Sequence, residues 1–203
     1  MDGTLLDSRI PVERHWRRWA TPRGLDADTI LRVAHGRRSR ETIAEFLPAR
    51  EIDAAVAEID ALELADQEGT VAIPGALDLL ARLPSHAWAV VTSASRQLAG
   101  FRLAATGLAP PGTMVTSDEV TRGKPDPEGF LLAARLLGVE AAGCVVFEDA
   151  PPGIAAGLAA GARVIALPTT QPRDRLAGAV AIIEDYRAVR ITPDGGGWKV
   201  EIP

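Results

Sequence analysis

The chain has 203 residues, 47% hydrophobic and 24% charged, with a formal net charge of −5 at pH 7. This balance fits one globular domain, or one with a modest insert, and excludes a disordered tail or a collagen-like repeat. A single cysteine, Cys144, excludes an intrachain disulfide and a multi-cysteine zinc site, and a cytoplasmic location is expected.

The first residues, Met1-Asp2-Gly3-Thr4, show neither the basic flank nor the apolar stretch of a signal peptide. Residues 11–70 read as wholly helical. Pro11 suits a first turn, and Val12, Trp16 and Trp19 share a face. Asp26 or Asp28 can cap a second helix through Val33. A third opens at Ser39 and carries Ile43, Phe46 and Leu47. The spacing of Ile52, Val56, Ile59, Leu62 and Leu64 predicts a long amphipathic helix over 51–68. Arginines crowd this quarter, mostly as a solvated helix surface, although a few can read an anion.

From residue 73 the pattern changes to strand–helix alternation. Helices are predicted over 74–83, 97–106, 127–137 and 153–160, the last three closed by Gly107, Gly138 and Gly161. Between and after them lie apolar runs at 87–92, 113–116, 144–147, 164–167 and 181–183, which read as buried parallel strands. Such repeats predict a parallel sheet with right-handed crossovers. Residues 189–202, with three glycines at 195–197, read as a β-hairpin. The negative charge speaks against nucleic acid held by bulk electrostatics, and no eighteen-residue apolar run indicates a membrane span.

In open parallel sheets, ligands bind outside the carboxyl ends of the strands. Thr92 and Ser93 follow one strand and Glu148 and Asp149 another. Lys124, one of only two lysines, sits between Gly123 and Pro125 in a loop, and Asp2 lies at the start. Acids, one lysine and a hydroxyl pair suit a phosphate held with Mg²⁺, which takes oxygen ligands. Taken singly, Thr92, Ser93 and Asp149 read equally well as helix caps, Glu148 as a rim carboxylate and Lys124 as a surface lysine.

In order and spacing, these segments resemble the four motifs of the haloacid dehalogenase-like phosphohydrolases. The segments are Asp2-Gly3-Thr4, Val90-Val91-Thr92-Ser93, Gly123-Lys124-Pro125 and Glu148-Asp149. The resemblance implies a Rossmann-like α/β core over 1–10 and 73–203, with an all-helical cap inserted over 11–72 and the C-terminal hairpin appended. It implies a Mg²⁺-dependent phosphatase of small phosphorylated sugars or polyols that works through an aspartyl-phosphate. Asp2 would be the general acid and base. Lys124, Thr92 and Ser93 would bind phosphate, and Asp2, Glu148 and Asp149 would surround the metal. His35, Arg37, Arg38 and Arg40 of the cap would contact the organic half of the substrate. A monomer or weak dimer with no nucleic-acid or membrane partner is expected. A β-phosphoglucomutase-like isomerase and a catalytically inactive binding protein are the alternatives. One departure stands out. The family's attacking aspartate falls two positions before Asp2, so it is expected immediately ahead of Met1.

Overall fold

The computed structural model describes residues 1–202. β1 (Leu6–Asp7) runs into four helices: α1 (Arg9–Ala20), α2 (Ala27–Ala34), α3 (Ser39–Ile43) and α4 (Ala49–Ala65). β2 (Val71–Ala72) brings the chain back and pairs antiparallel with β1, Leu6 opposite Ala72 and Asp7 opposite Val71. The outgoing and returning chains are therefore bonded to one another where the helical block begins and ends. Sequence reading misses both strands, because two residues are too few to show an alternation.

The four helices share one apolar centre built from Trp16, Trp19, Ile30, Ile43, Ala55 and Ile59. Trp16 and Trp19 meet edge to face with ring centroids 5.4 Å apart. The indole Nε1 of Trp19 donates to the Ala55 carbonyl at 3.1 Å, so its polar atom is satisfied in the interior. Asp26 caps α2 by accepting from the Asp28 amide at 3.1 Å. α4 stops at Ala65, short of the expected 68. There Asp66 takes extended backbone, accepts from the Glu68 amide and pairs with Arg14.

The second half alternates as expected. It comprises α5 (Ala76–Leu80), β3 (Ala89–Val91), α6 (Arg96–Thr106), β4 (Thr113–Val115), α7 (Glu128–Leu137), β5 (Val145–Glu148), α8 (Pro151–Ala159), β6 (Arg163–Ala166) and β7 (Ala181–Ile182). β3 and β4 pair in parallel, and β5, β6 and β7 form a parallel trio. Met1 packs against Val90 of β3 beside this core. α8 lies close on the trio because it is made of small residues. A Cβ on Gly157 would stand 2.8 Å from Val164. α5 is shorter than expected. Gly75 enters it at φ 81, and a Cβ there would stand 2.6 Å from the Arg187 amide nitrogen, so the backbones cross too closely for any side chain.

The chain ends in the predicted hairpin, β8 (Arg190–Asp194) with β9 (Gly197–Glu201). Gly195 and Gly196 turn it with φ 53 and 90, the positive pair that a two-residue hairpin loop favours. Ile191, Val200 and Ile202 lean on the cluster around Ile165, Leu167 and Tyr186. Among the described residues, no helix is long and apolar enough to cross a membrane.

Candidate active site

The carboxyl ends of β3 and β5 open into one cavity of about 270 Å³, roofed by the helical block. Asp2, Thr92, Ser93, Lys124, Glu148 and Asp149 all line it from the α/β half. His35, Arg37, Arg38 and Arg40 line it from the segment joining α2 to α3 and from α3 itself. Residues from four separate stretches of sequence thus converge, because parallel strands deliver their ends to one edge.

The bland readings of these residues fail. Ser95, not Thr92 or Ser93, caps α6, accepting from the Leu98 amide at 3.3 Å. Ala150 occupies the cap position of α8, and no side chain bonds there. Asp149 is free for another role. Its Oδ1 accepts from Thr4 Oγ1 at 2.9 Å, and its Oδ2 from Thr170 Oγ1. Lys124 is no surface lysine. Its side chain is 10% exposed and its Nζ is paired with Glu148, itself 3% exposed.

The charges press on one another. Burial, and then the neighbouring Glu148 carboxylate, push the Asp149 carboxyl up to about 6. Burial is the largest single influence and acts to raise Asp2, but the Arg102 guanidinium, the N-terminal ammonium and the Ser8 hydroxyl together outweigh it and hold Asp2 below the usual carboxylate range. Asp2 Oδ1 accepts from Ser8 Oγ at 2.7 Å and from Arg102 Nη1 at 2.9 Å. Burial pushes the His35 imidazole down, so this cap histidine faces the cavity in its neutral form near neutral pH.

Two glycines make room for the acids. Gly3 has φ 67, and a Cβ there would overlap the Asp149 carboxyl. A Cβ on Gly153 would overlap the carboxyl of Glu148. The Gly after Asp2 is therefore required twice over, by its backbone and by its neighbour.

The cap residues are less free than expected. Arg37 pairs with Glu45 and Arg40 with Asp53. Arg38 donates to the carbonyls of Val120 and Thr121 at 3.0 and 3.2 Å, across to the α/β half. The Ser93 hydroxyl donates to the Gly36 carbonyl at 2.9 Å, a second bond between the halves. Sequence reasoning missed Thr4, Ser8, Glu63, Arg102 and Thr170. Only Thr4 carried a signal, its place directly after the Asp-Gly pair.

Among the described residues, no cluster of three His, Cys, Asp or Glu side chains forms that could hold a metal. Magnesium needs less, one or two carboxylates with phosphate and water completing its shell. The donors here are all hard oxygens. Glu148 and Asp149 bury two acids side by side, and a dication would offset both the burial and the neighbouring charge that raise Asp149. The residues present fit Mg²⁺.

The chain is similar to known proteins over most of its length. A haloacid dehalogenase-like hydrolase family model matches residues 1–161. Hexitol phosphatase A of Escherichia coli is 37% identical, over 97% of this chain and 94% of its own length. Glycerol-1-phosphate phosphohydrolase 2 of Saccharomyces cerevisiae is 33% identical, over 99% and 84%. Among solved structures, a hydrolase from Pseudomonas syringae superposes with a TM-score of 0.82 at 28% identity, covering 91% of this chain and 90% of that one. From the four motif segments, the cavity they line and these relatives, the chain belongs to the haloacid dehalogenase-like hydrolases.

Proposed function

We propose that this phosphoric monoester hydrolase removes phosphate from small phosphorylated polyols or sugars with the help of Mg²⁺. The observation that carries the reading is the convergence of Asp2, Lys124 and Asp149 on one cavity under a helical roof. The phosphatase relatives, one named for hexitol and one for glycerol 1-phosphate, support the substrate class. We read 11–72 as the cap and the remainder as the core.

Lys124 and the Thr92 hydroxyl bind phosphoryl oxygens, and the buried ammonium stabilises charge on the transferring group. Bound Mg²⁺, held by Asp149 with Glu148 and the Asp2 segment nearby, would neutralise phosphate charge. An aspartate carboxylate attacks phosphorus, and the bond from phosphorus to the substrate's alkoxide breaks. Asp2, protonated from solvent against the pull of Arg102, gives that proton to the alkoxide. Asp2, now a carboxylate, takes a proton from water as the water oxygen attacks phosphorus. The acyl-phosphate bond breaks and inorganic phosphate leaves. The cap excludes bulk water while this happens.

The motif register assigns the attack to an aspartate two positions before Asp2. The carboxylates already in the cavity wall are poor substitutes. Glu148 is tied to Lys124, Asp149 to Thr4 and Thr170, and Asp2 to Ser8 and Arg102. The test assays residues 1–203 beside the same chain carrying a short apolar stretch that ends in Asp directly before Met1. Hexitol phosphate, glycerol phosphate and hexose 1-phosphate with its bisphosphate are supplied with Mg²⁺. The extended form should release phosphate from the polyol esters and the shorter form should not. Equal turnover by both would refute the register. Interconversion of the hexose phosphates without release would favour the mutase.

A further inference from the structure

The cap arginines expected to meet the organic half of the substrate are engaged elsewhere. Arg37 is paired with Glu45 and Arg40 with Asp53, and Arg38 bonds to the carbonyls of Val120 and Thr121. Arg9 is paired with Asp7, and Glu63 with Arg102. Of the charged side chains that the helical block turns into the cavity, Asp60 alone is left with neither a cation nor a hydrogen bond among the described residues.

The periodicity of α4 explains the placement. Ala55 and Ile59 pack into the aromatic centre of the cap. Val56, Asp60 and Glu63 form the neighbouring file and line the cavity. At Glu63 this file meets Arg102, whose other arm reaches Asp2, so that end adjoins the place of the phosphate. Asp60 stands about 4.5 Å further along the helix axis and Val56 about 10 Å. Val12, Val56 and Leu98 give the same cavity apolar surface. One end is therefore built for phosphate, and a helical turn away lies an apolar wall with a single half-buried carboxylate. Burial, and then the Asp118 carboxylate, push the Asp60 carboxyl above its ordinary value of 3.8. An ionised carboxylate only accepts hydrogen bonds, and it has room for several donors. No described residue supplies them.

We propose that Asp60 reads the organic half of the ester: its carboxylate accepts from the hydroxyls of an uncharged polyol and turns away a second anionic group. The inference deepens the phosphatase reading and rests on it. A hydroxyl-rich chain offers donors to the carboxylate and C–H surface to the apolar wall. A carboxylate or a second phosphate on that chain would meet a like charge instead, which is how a site rejects a competitor of similar size. Asp60 thus selects neutral polyol monophosphates over bisphosphates and over phosphorylated sugar acids.

The test uses the form of the chain that releases phosphate in the assay above. It compares hexitol 6-phosphate with the 6-phosphoaldonate of the same carbon chain, in which a carboxylate replaces the far hydroxymethyl group. The two kcat/KM values give a preference ratio, and the parent should favour the hexitol phosphate. A hydrogen bond to a charged group is worth roughly 10- to 100-fold, so Asp60→Asn should shrink the ratio by about that factor. Asp60→Lys should invert it. Asp60→Asn should melt no lower than the parent, since it relieves the repulsion from Asp118, so a smaller ratio reports recognition and not unfolding. A merely structural or solvated acid would move both esters together. A ratio unchanged in both variants, equal loss of both esters included, or a parent that prefers the phosphoaldonate, overturns the role of Asp60 and leaves the phosphatase reading intact. If no form of the chain releases phosphate from either ester, that reading falls and takes the role of Asp60 with it.

Discussion

At the scale of residues, the site is set by which side chains are locked together. Lys124 and Glu148 are the clearest case, a buried pair at the base of the cavity. Removing one partner of such a pair typically costs about 3–5 kcal/mol, because the other is left charged and unpaired. Lys124→Ala should therefore lose both activity and stability. Adding Glu148→Gln should restore much of the melting temperature and none of the turnover, as phosphate assays and thermal melts on the two variants will show. Gly3→Ala should be equally damaging for a different reason. A non-glycine residue held in the left-handed region costs about 1–3 kcal/mol, and the new methyl group displaces the Asp149 carboxyl. Melting temperature and Mg²⁺ affinity should fall together, while Gly107→Ala, which meets no atom within 4 Å, should lower only the first. Motif residues such as Lys124 and Asp149 were legible in the sequence because glycine, proline and apolar runs frame them. Arg102 and Glu63 were not. A charged residue on a helix reads as solvent-facing unless its position in the apolar file is weighed first.

At the scale of elements, helices and parallel strands were visible through periodicity, whereas β1 and β2 were too short to leave a pattern. The cap helices depend on a small aromatic centre. Trp19 is 2% exposed and its indole bonds to α4, so Trp19→Ala should destabilise the protein by about 3–5 kcal/mol. Denaturant unfolding will measure the loss. His15 of α1 gives the cap a pH dependence. It is 2% exposed, neither ring nitrogen has a hydrogen-bond partner among the described residues, and Asp66 lies 3.6 Å from Nε2. Burial holds its imidazole below the ordinary value of 6.5. Below that value the unfolded chain takes up a proton that the folded chain resists, so stability falls as pH drops through 6.5. His35 shifts in the same direction and adds to the slope. Melting curves between about pH 7.5 and pH 5 should show His15→Phe losing less stability on acidification than the parent does. An identical slope would place the dependence elsewhere.

At the scale of the whole molecule, the cavity exists only because the two halves meet over it. Ser93 and Arg38 bond across the gap, and Arg102 binds Glu63 on one side and Asp2 on the other. In the function proposed above, this site hydrolyses a polyol phosphate with Mg²⁺ beside Asp149. Phosphate release from hexitol phosphate is the direct measurement, made on the chain carrying Asp ahead of Met1, in Mg²⁺ and then in excess chelator, with Asp149→Asn in parallel. Turnover is expected in Mg²⁺, with loss in chelator, recovery on adding the metal back, and none of these in Asp149→Asn. Undiminished release in chelator, or an Asp149→Asn variant as active as its parent, would contradict it.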